Sequence, residues 1–120
     1  MDNLKENLIS HQALLRSFNT LEQIRQLSKD WNGYGADPVS DEIIQRVKTI
    51  LPKLETQPEI FPTARNSIQL EYEKENNDYL EFEFFEDSIT LYMEMNGVEE
   101  EYKINITDIP VKVFQFHAGS

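Results

Sequence analysis

Cysteine is absent from the 120 residues, which excludes a disulfide framework, a zinc–thiolate site and a cysteine nucleophile together. Positive charge is scarce: 11 lysines and arginines stand against 22 aspartates and glutamates, a formal net charge of −11. A field of that sign repels phosphate backbones and anionic lipid, so nucleic-acid or membrane-surface binding is disfavoured and a basic protein partner is favoured. Long apolar runs are missing as well. None approaches the roughly 20 residues that span a bilayer, and the start, Met1-Asp2-Asn3-Leu4-Lys5-Glu6, has neither the basic nor the apolar region of a signal peptide. The expectation is a cytoplasmic protein. The length suits one modest core, so a single domain over 1–120 is expected.

Glycine and tryptophan are rare, with 4 copies and 1 copy, and one stretch concentrates them: Asp30-Trp31-Asn32-Gly33-Tyr34-Gly35-Ala36-Asp37-Pro38. Gly33 and Gly35 permit positive φ at two nearby points, while Trp31 and Tyr34 supply large apolar area with polar tips. This predicts an ordered conformational loop with Trp31 plugging the core. Asp30, Asn32, Tyr34, Gly35 and Asp41 faintly echo a calcium loop. An EF-hand, however, takes an oxygen side chain at its fifth position and a glutamate at its twelfth, where Tyr34 and Asp41 stand. No metal and no cofactor are expected.

Leu4, Leu8, His11, Leu15 and Phe18 recur at helical steps, predicting an amphipathic helix over 2–18 with His11 as a partly buried structural histidine. Thr20-Leu21-Glu22-Gln23 matches a capping box and predicts a second helix, whose face runs Leu21, Ile24, Leu27 and on to Trp31. Ser40 then caps a helix lined by Ile43, Ile44, Val47, Ile50, Leu51 and Leu54, with Pro52 marking its last turn. The helical part thus covers about 2–55. A Pro-rich connection, Gln57-Pro58-Glu59-Ile60-Phe61-Pro62-Thr63, follows.

From Ser67 the period changes to two, and four strands are predicted within 67–104. Asn96-Gly97 is the strongest two-residue hairpin signal available. Connections this short imply an antiparallel meander. The fold class expected is α+β, with two to three N-terminal helices packed on one face of a four-stranded antiparallel β-meander. The apolar tail, 105–120, is ambiguous in period and reads as a short strand or extended segment.

The uncovered face of that sheet is the candidate site. The turns set Glu94 opposite Glu99, Tyr92 opposite Glu101 and Glu71 opposite Glu81, with Glu83 and Tyr79 on the same face. Acids interleaved with aromatics suit lysine and arginine through ion pairs and cation–π contacts. Against this stands a plain solvated face, since alternation alone requires polar outer residues. The acidic residue Glu100 falls on the inner side, where it is expected near a sheet edge or paired with a helix cation.

Trp31-Asn32-Gly33-Tyr34-Gly35-Ala36 with Pro38, a following helix, Phe61-Pro62-Thr63 and the strand Ile68-Gln69-Leu70-Glu71-Tyr72-Glu73 resembles a group of small bacterial proteins with a W-(D/N)-G-Y-G-A-x-P signature. The resemblance covers about residues 21–103; it implies a bacterial origin and carries no activity or catalytic residue. The functional expectation is a small acidic non-enzymatic protein that docks or neutralises a basic protein partner, in the manner of antitoxins, immunity proteins or phage inhibitors, with a nucleic-acid mimic as a variant. Two other readings are a structural subunit or homo-oligomer, joined through a sheet edge or the tail, and a hydrolase using Asp30, Asp37, Tyr34 or His11.

Overall fold

Helix α1, Asp2–Arg25, is one continuous helix of 24 residues. The computed structural model describes residues 2–119 and side-chain burial from residue 7 onward, so the side chain of Leu4 lies outside the described residues. The expected break at Thr20 does not occur. An N-cap needs extended backbone, and no glycine or proline within α1 supplies a break; the Thr20 hydroxyl instead donates to the Arg16 carbonyl at 3.1 Å, one turn back. Leu21 and Ile24 are buried and Leu14 and Phe18 pack against the core, whereas Leu8 and Ile9 are each 56% exposed. In the first half of α1, Ile9, Ser10 and Ala13 border a shallow cleft with residues 54–57. His11 is exposed there and is not the partly buried histidine expected.

Helix α2, Asp41–Ile50, begins where Ser40 adopts extended backbone and its hydroxyl accepts the Ile43 amide. Ile43, Ile44, Val47 and Ile50 form its buried stripe. Pro52 sits in a tight 3-10 turn, Leu51–Lys53, that closes the helix.

The sheet has five strands, not four: β1 (Glu59–Thr63), β2 (Ser67–Glu73), β3 (Tyr79–Phe84), β4 (Ile89–Met95) and β5 (Val98–Lys103), in the order β1-β2-β3-β4-β5 and antiparallel throughout. The additional strand is β1, inside the stretch taken for a Pro-rich connection. Pro62 argues against a central strand, but β1 lies at the edge, where a missing N–H costs no ladder bond. Asn96 and Gly97 both take positive φ, 53° and 79°, giving the tight turn that their sequence predicts between Met95 and Val98.

The tail is also corrected. A 3-10 turn, Ile106–Asp108, leads into helix α3, Ile109–Ala118, with Pro110 in its first turn. Ile109, Val113 and Phe116 are buried at spacings of four and three. Lys112 and Gln115 between the apolar residues had disguised that period. The three helices share the inner side of the sheet, where Phe82, Phe84, Leu70, Leu80 and Leu91 are fully buried with Ile43, Leu51 and Phe116.

Candidate functional site

The pleat sends alternate side chains of the five strands to the side without helices. Register places Glu59, Glu71, Glu81, Tyr92 and Glu101 in one row across all five strands. Beside it run Glu73, Tyr79, Glu94 and Glu99, and on the other flank Phe61, Gln69, Glu83, Thr90 and Lys103. The three pairings expected from turn length, Glu71 with Glu81, Glu94 with Glu99 and Tyr92 with Glu101, are those in the sheet. Glu59 extends the acidic row, and sequence reasoning missed it because β1 was missed; the alternation Glu59-Ile60-Phe61 was the available signal.

Tyr79 organises the centre of this face. Its hydroxyl donates to Glu81 Oε1 at 2.7 Å, and its ring lies 6.1 Å from that of Tyr92, tilted. Burial, then the hydrogen bond and charge of Glu81 and the charge of Glu71, push the Tyr79 phenol far above its ordinary range. Tyr92 is raised as well, by desolvation and by Glu99 and Glu94. Desolvation raises the Glu71 carboxyl above the usual carboxylate range; the Tyr79 hydrogen bond opposes this, while the charges of Glu81, Glu59 and Glu73 add to it. On this face Glu71 is the carboxyl held above the ordinary range, by its burial first and then by the acids around it.

Glu83 is different, and it leaves the set of docking residues. It is 7% exposed, and its carboxylate is fully engaged: Arg65 donates through Nε and Nη2 at 3.0 and 2.8 Å, the Ser67 hydroxyl at 2.5 Å and Gln69 Nε2 at 3.3 Å. Burial raises this carboxyl, but the Arg65, Ser67 and Gln69 hydrogen bonds outweigh it and hold the group below the ordinary range. Its acceptors are already used within the fold. Glu71, Tyr79, Glu81, Tyr92 and Glu94 are half-buried on this face, and Glu99 and Glu101 are exposed on it.

The Trp31–Asp37 loop lies elsewhere, against the β1–β2 turn, through the Asp37 amide bonded to the Ala64 carbonyl at 3.0 Å. Gly33 and Gly35 have φ of 79° and 83°. Trp31 is not in the core; it is half-buried, and its indole N–H donates to the Asp37 carbonyl at 2.8 Å, tying one end of the loop to the other. Ala36, 1% exposed, fills the core position instead. A bulky indole at the end of a tight turn is better placed to cover the loop than to enter a core already filled by α1 and α2. Tyr34 projects outward at 92% exposure.

The acids of this loop are occupied. Asp30 Oδ1 accepts the Gly35 amide at 2.6 Å, Asn32 Oδ1 accepts the Tyr34 and Ala36 amides, and Asp37 pairs with Lys29 at 2.8 Å. These oxygens close turns in place of converging on an ion. Among the described residues no three histidine, aspartate or glutamate side chains are grouped to hold a metal, and no helix is long and apolar enough to cross a membrane. His11 is remote from the loop acids in sequence and lies on the exposed side of α1. No protein-family model, curated protein or solved structure matches this chain.

Proposed function

We propose that this chain is a small acidic binding protein that receives a basic protein partner on the outer face of its sheet. The observation that carries the reading is the row Glu59–Glu71–Glu81–Tyr92–Glu101, which crosses five strands without one basic side chain. Like charges directly opposed on a sheet cost a few tenths to about 1 kcal/mol per pair, and no internal ion pair offsets Glu71, Glu81 or Glu94 among the described residues. A cationic partner offsets that repulsion on binding. Tyr79 and Tyr92, set between the acids, offer ring faces to lysine and arginine.

The test is affinity capture from the host cell at low and moderate salt, with wild type and the double variant Glu81→Lys/Glu94→Lys. Wild type should retain a basic protein that salt releases, because exposed ion pairs are screened over about 8 to 10 Å near physiological ionic strength. The variant should fold and retain none of it. Equal recovery of the same protein by both would sink the reading.

A further inference from the structure

The two edges of the sheet are not equivalent. Edge strand β1 carries Pro62, and α1 lies alongside it, its Ala13, Arg16 and Ser17 facing Pro58 to Phe61 across a shallow cleft. At the other edge, β5 has no proline and no bulge, its six residues are all exposed, and no strand among the described residues pairs with its far side. Val98 and Tyr102, 64% and 39% exposed, lie on the inner side, with the Lys112 ammonium of α3 5.8 Å from the Tyr102 ring centre. A shallow cleft continues from Tyr102 and Ile104 to Val111 and Lys112 of α3.

The backbone of this edge is open in a defined pattern. Ile104 N donates to Ile89 O at 2.9 Å, and these two residues are opposite each other, one step beyond the Thr90–Lys103 pair. Bonded and non-bonded pairs alternate in an antiparallel ladder. Val98, Glu100 and Tyr102 therefore direct their backbone groups to β4, while Glu99, Glu101 and Lys103 direct theirs outward.

Charge decides what fits. Glu99 and Glu101 stand on the outer side and Glu100 on the inner side, so an incoming strand meets acids on both faces. A second copy would bring the same three glutamates into the joint, with Lys103 as the only cation on the strand; an inward-pointing acid on an edge strand opposes such self-pairing. We infer that the β5 edge is the docking site for an extended basic segment of the partner, which adds as a further strand beside Glu99–Lys103. This rests on the proposed reading of the chain as a receptor for a basic protein. Main-chain bonds to Glu99, Glu101 and Lys103 supply affinity, cations meet Glu99, Glu100 and Glu101, and apolar side chains of the segment cover Val98, Tyr102 and Val111.

The experiment uses the full chain and a synthetic peptide built on Val-Lys-Lys-Lys-Val, which sets valines beside Val98 and Tyr102 and lysines beside Glu99, Glu100 and Glu101, followed by amide NMR with hydrogen exchange. Binding should slow exchange at the Glu99, Glu101 and Lys103 amides and leave Glu100 and Tyr102, already bonded to β4, nearly unchanged. The same peptide N-methylated at alternate amides keeps its charge but should bind about tenfold more weakly or worse, because it cannot form the ladder. Glu100→Lys, which changes only the inner side, should weaken the unmethylated peptide by about tenfold. Glu81→Lys/Glu94→Lys should retain peptide-induced protection at the edge amides. No binding, equal binding of the methylated peptide, or unprotected edge amides in the complex overturns the edge assignment. If the peptide instead shifts Glu71, Glu81 and Glu94 and loses affinity only in the Glu81→Lys/Glu94→Lys variant, the face reading survives and the edge assignment falls. Edge amides already protected in a concentration-dependent dimer of the free protein would mean that a second copy occupies the edge, and would also overturn it.

Discussion

Two glutamates on one sheet face, Glu83 and Glu71, respond oppositely to acid. Glu83 is depressed by Arg65, Ser67 and Gln69 despite its burial, so the stability it contributes is present above the unfolded carboxyl range and is lost as pH falls through its folded value. Glu71 is raised, first by desolvation and then by its acidic neighbours, so the folded form gains relative stability as Glu71 takes up a proton and loses it as pH rises. Thermal melts should therefore show stability rising modestly on acidification from neutrality and falling once Glu83 protonates. Glu71→Gln should flatten the rise, and Glu83→Gln should flatten the acid-side fall; a profile unchanged in both variants would refute the assignment. Glu83→Ala should cost about 1 to 3 kcal/mol in chemical denaturation, because it removes the buried acceptor shared by Arg65, Ser67 and Gln69 and leaves the Ser67 hydroxyl only Thr63 as a partner. The exposed side of Arg65 keeps that figure below the loss expected for a fully buried pair.

At the level of elements, the connections between helix and sheet carry more specificity than the helices do. Asn66, in the β1–β2 turn, has φ of 59°; its side chain accepts the Ser40 amide at 2.8 Å and donates to Glu86 at 2.8 Å. One residue thus sets the hairpin, seats the start of α2 and meets the β3–β4 turn. Asn66→Ala should destabilise by about 2 to 3 kcal/mol, combining left-handed strain with lost hydrogen bonds. Asn66→Gly should recover the backbone share and remain about 1 kcal/mol below wild type; equal losses in both would show that φ plays no part. The Trp31 loop is the second connection. With its indole half-buried and bonded to Asp37, Trp31→Ala should cost about 1 to 2 kcal/mol, below the 3 to 5 kcal/mol typical of removing a core aromatic. Tryptophan emission should be intermediate in wavelength and accessible to a neutral quencher. A blue-shifted, unquenched emission would return Trp31 to the core. Helix α3 is held differently: His117 meets Tyr72 edge to face at 5.2 Å, and the Lys74 ammonium lies 4.7 Å from the Phe116 ring centre.

For the whole molecule, charge is unevenly divided. Residues 1–60 hold 9 acids and 7 bases, whereas residues 61–120 hold 13 acids and 4 bases. The sheet belongs to the acidic half, and its outer face gathers most of the excess. Raising salt from about 0.01 to about 0.15 M shortens the screening length from about 30 to about 8 Å, so the melting temperature should rise by about 2 to 5 °C as repulsion is relieved. The rise should be smaller in Glu81→Lys/Glu94→Lys. A melting temperature indifferent to salt in wild type would mean that the acids are too well solvated to repel.

Features that depend on near neighbours can be read from the residues in order. The alternation after Ser67, the Asn96-Gly97 turn, the Ser40 cap and the stripe Ile43, Ile44, Val47 and Ile50 each express a local period or a local backbone preference, and with them came the acidic row from Glu71 to Glu101. Tertiary structure decided the rest. Whether Pro62 breaks a strand depends on whether that strand is an edge, and whether Thr20 caps a helix depends on whether the chain there is free to leave helical backbone. Whether 109–118 coils depends on which of its apolar residues the sheet buries. Glu83 and Glu81 are two residues apart on one strand and chemically identical in sequence; only the arrival of Arg65 from the neighbouring turn separates a structural carboxylate from one open to a partner. Such distinctions are set by residues far apart in the chain, and local pattern carries no information about who will arrive.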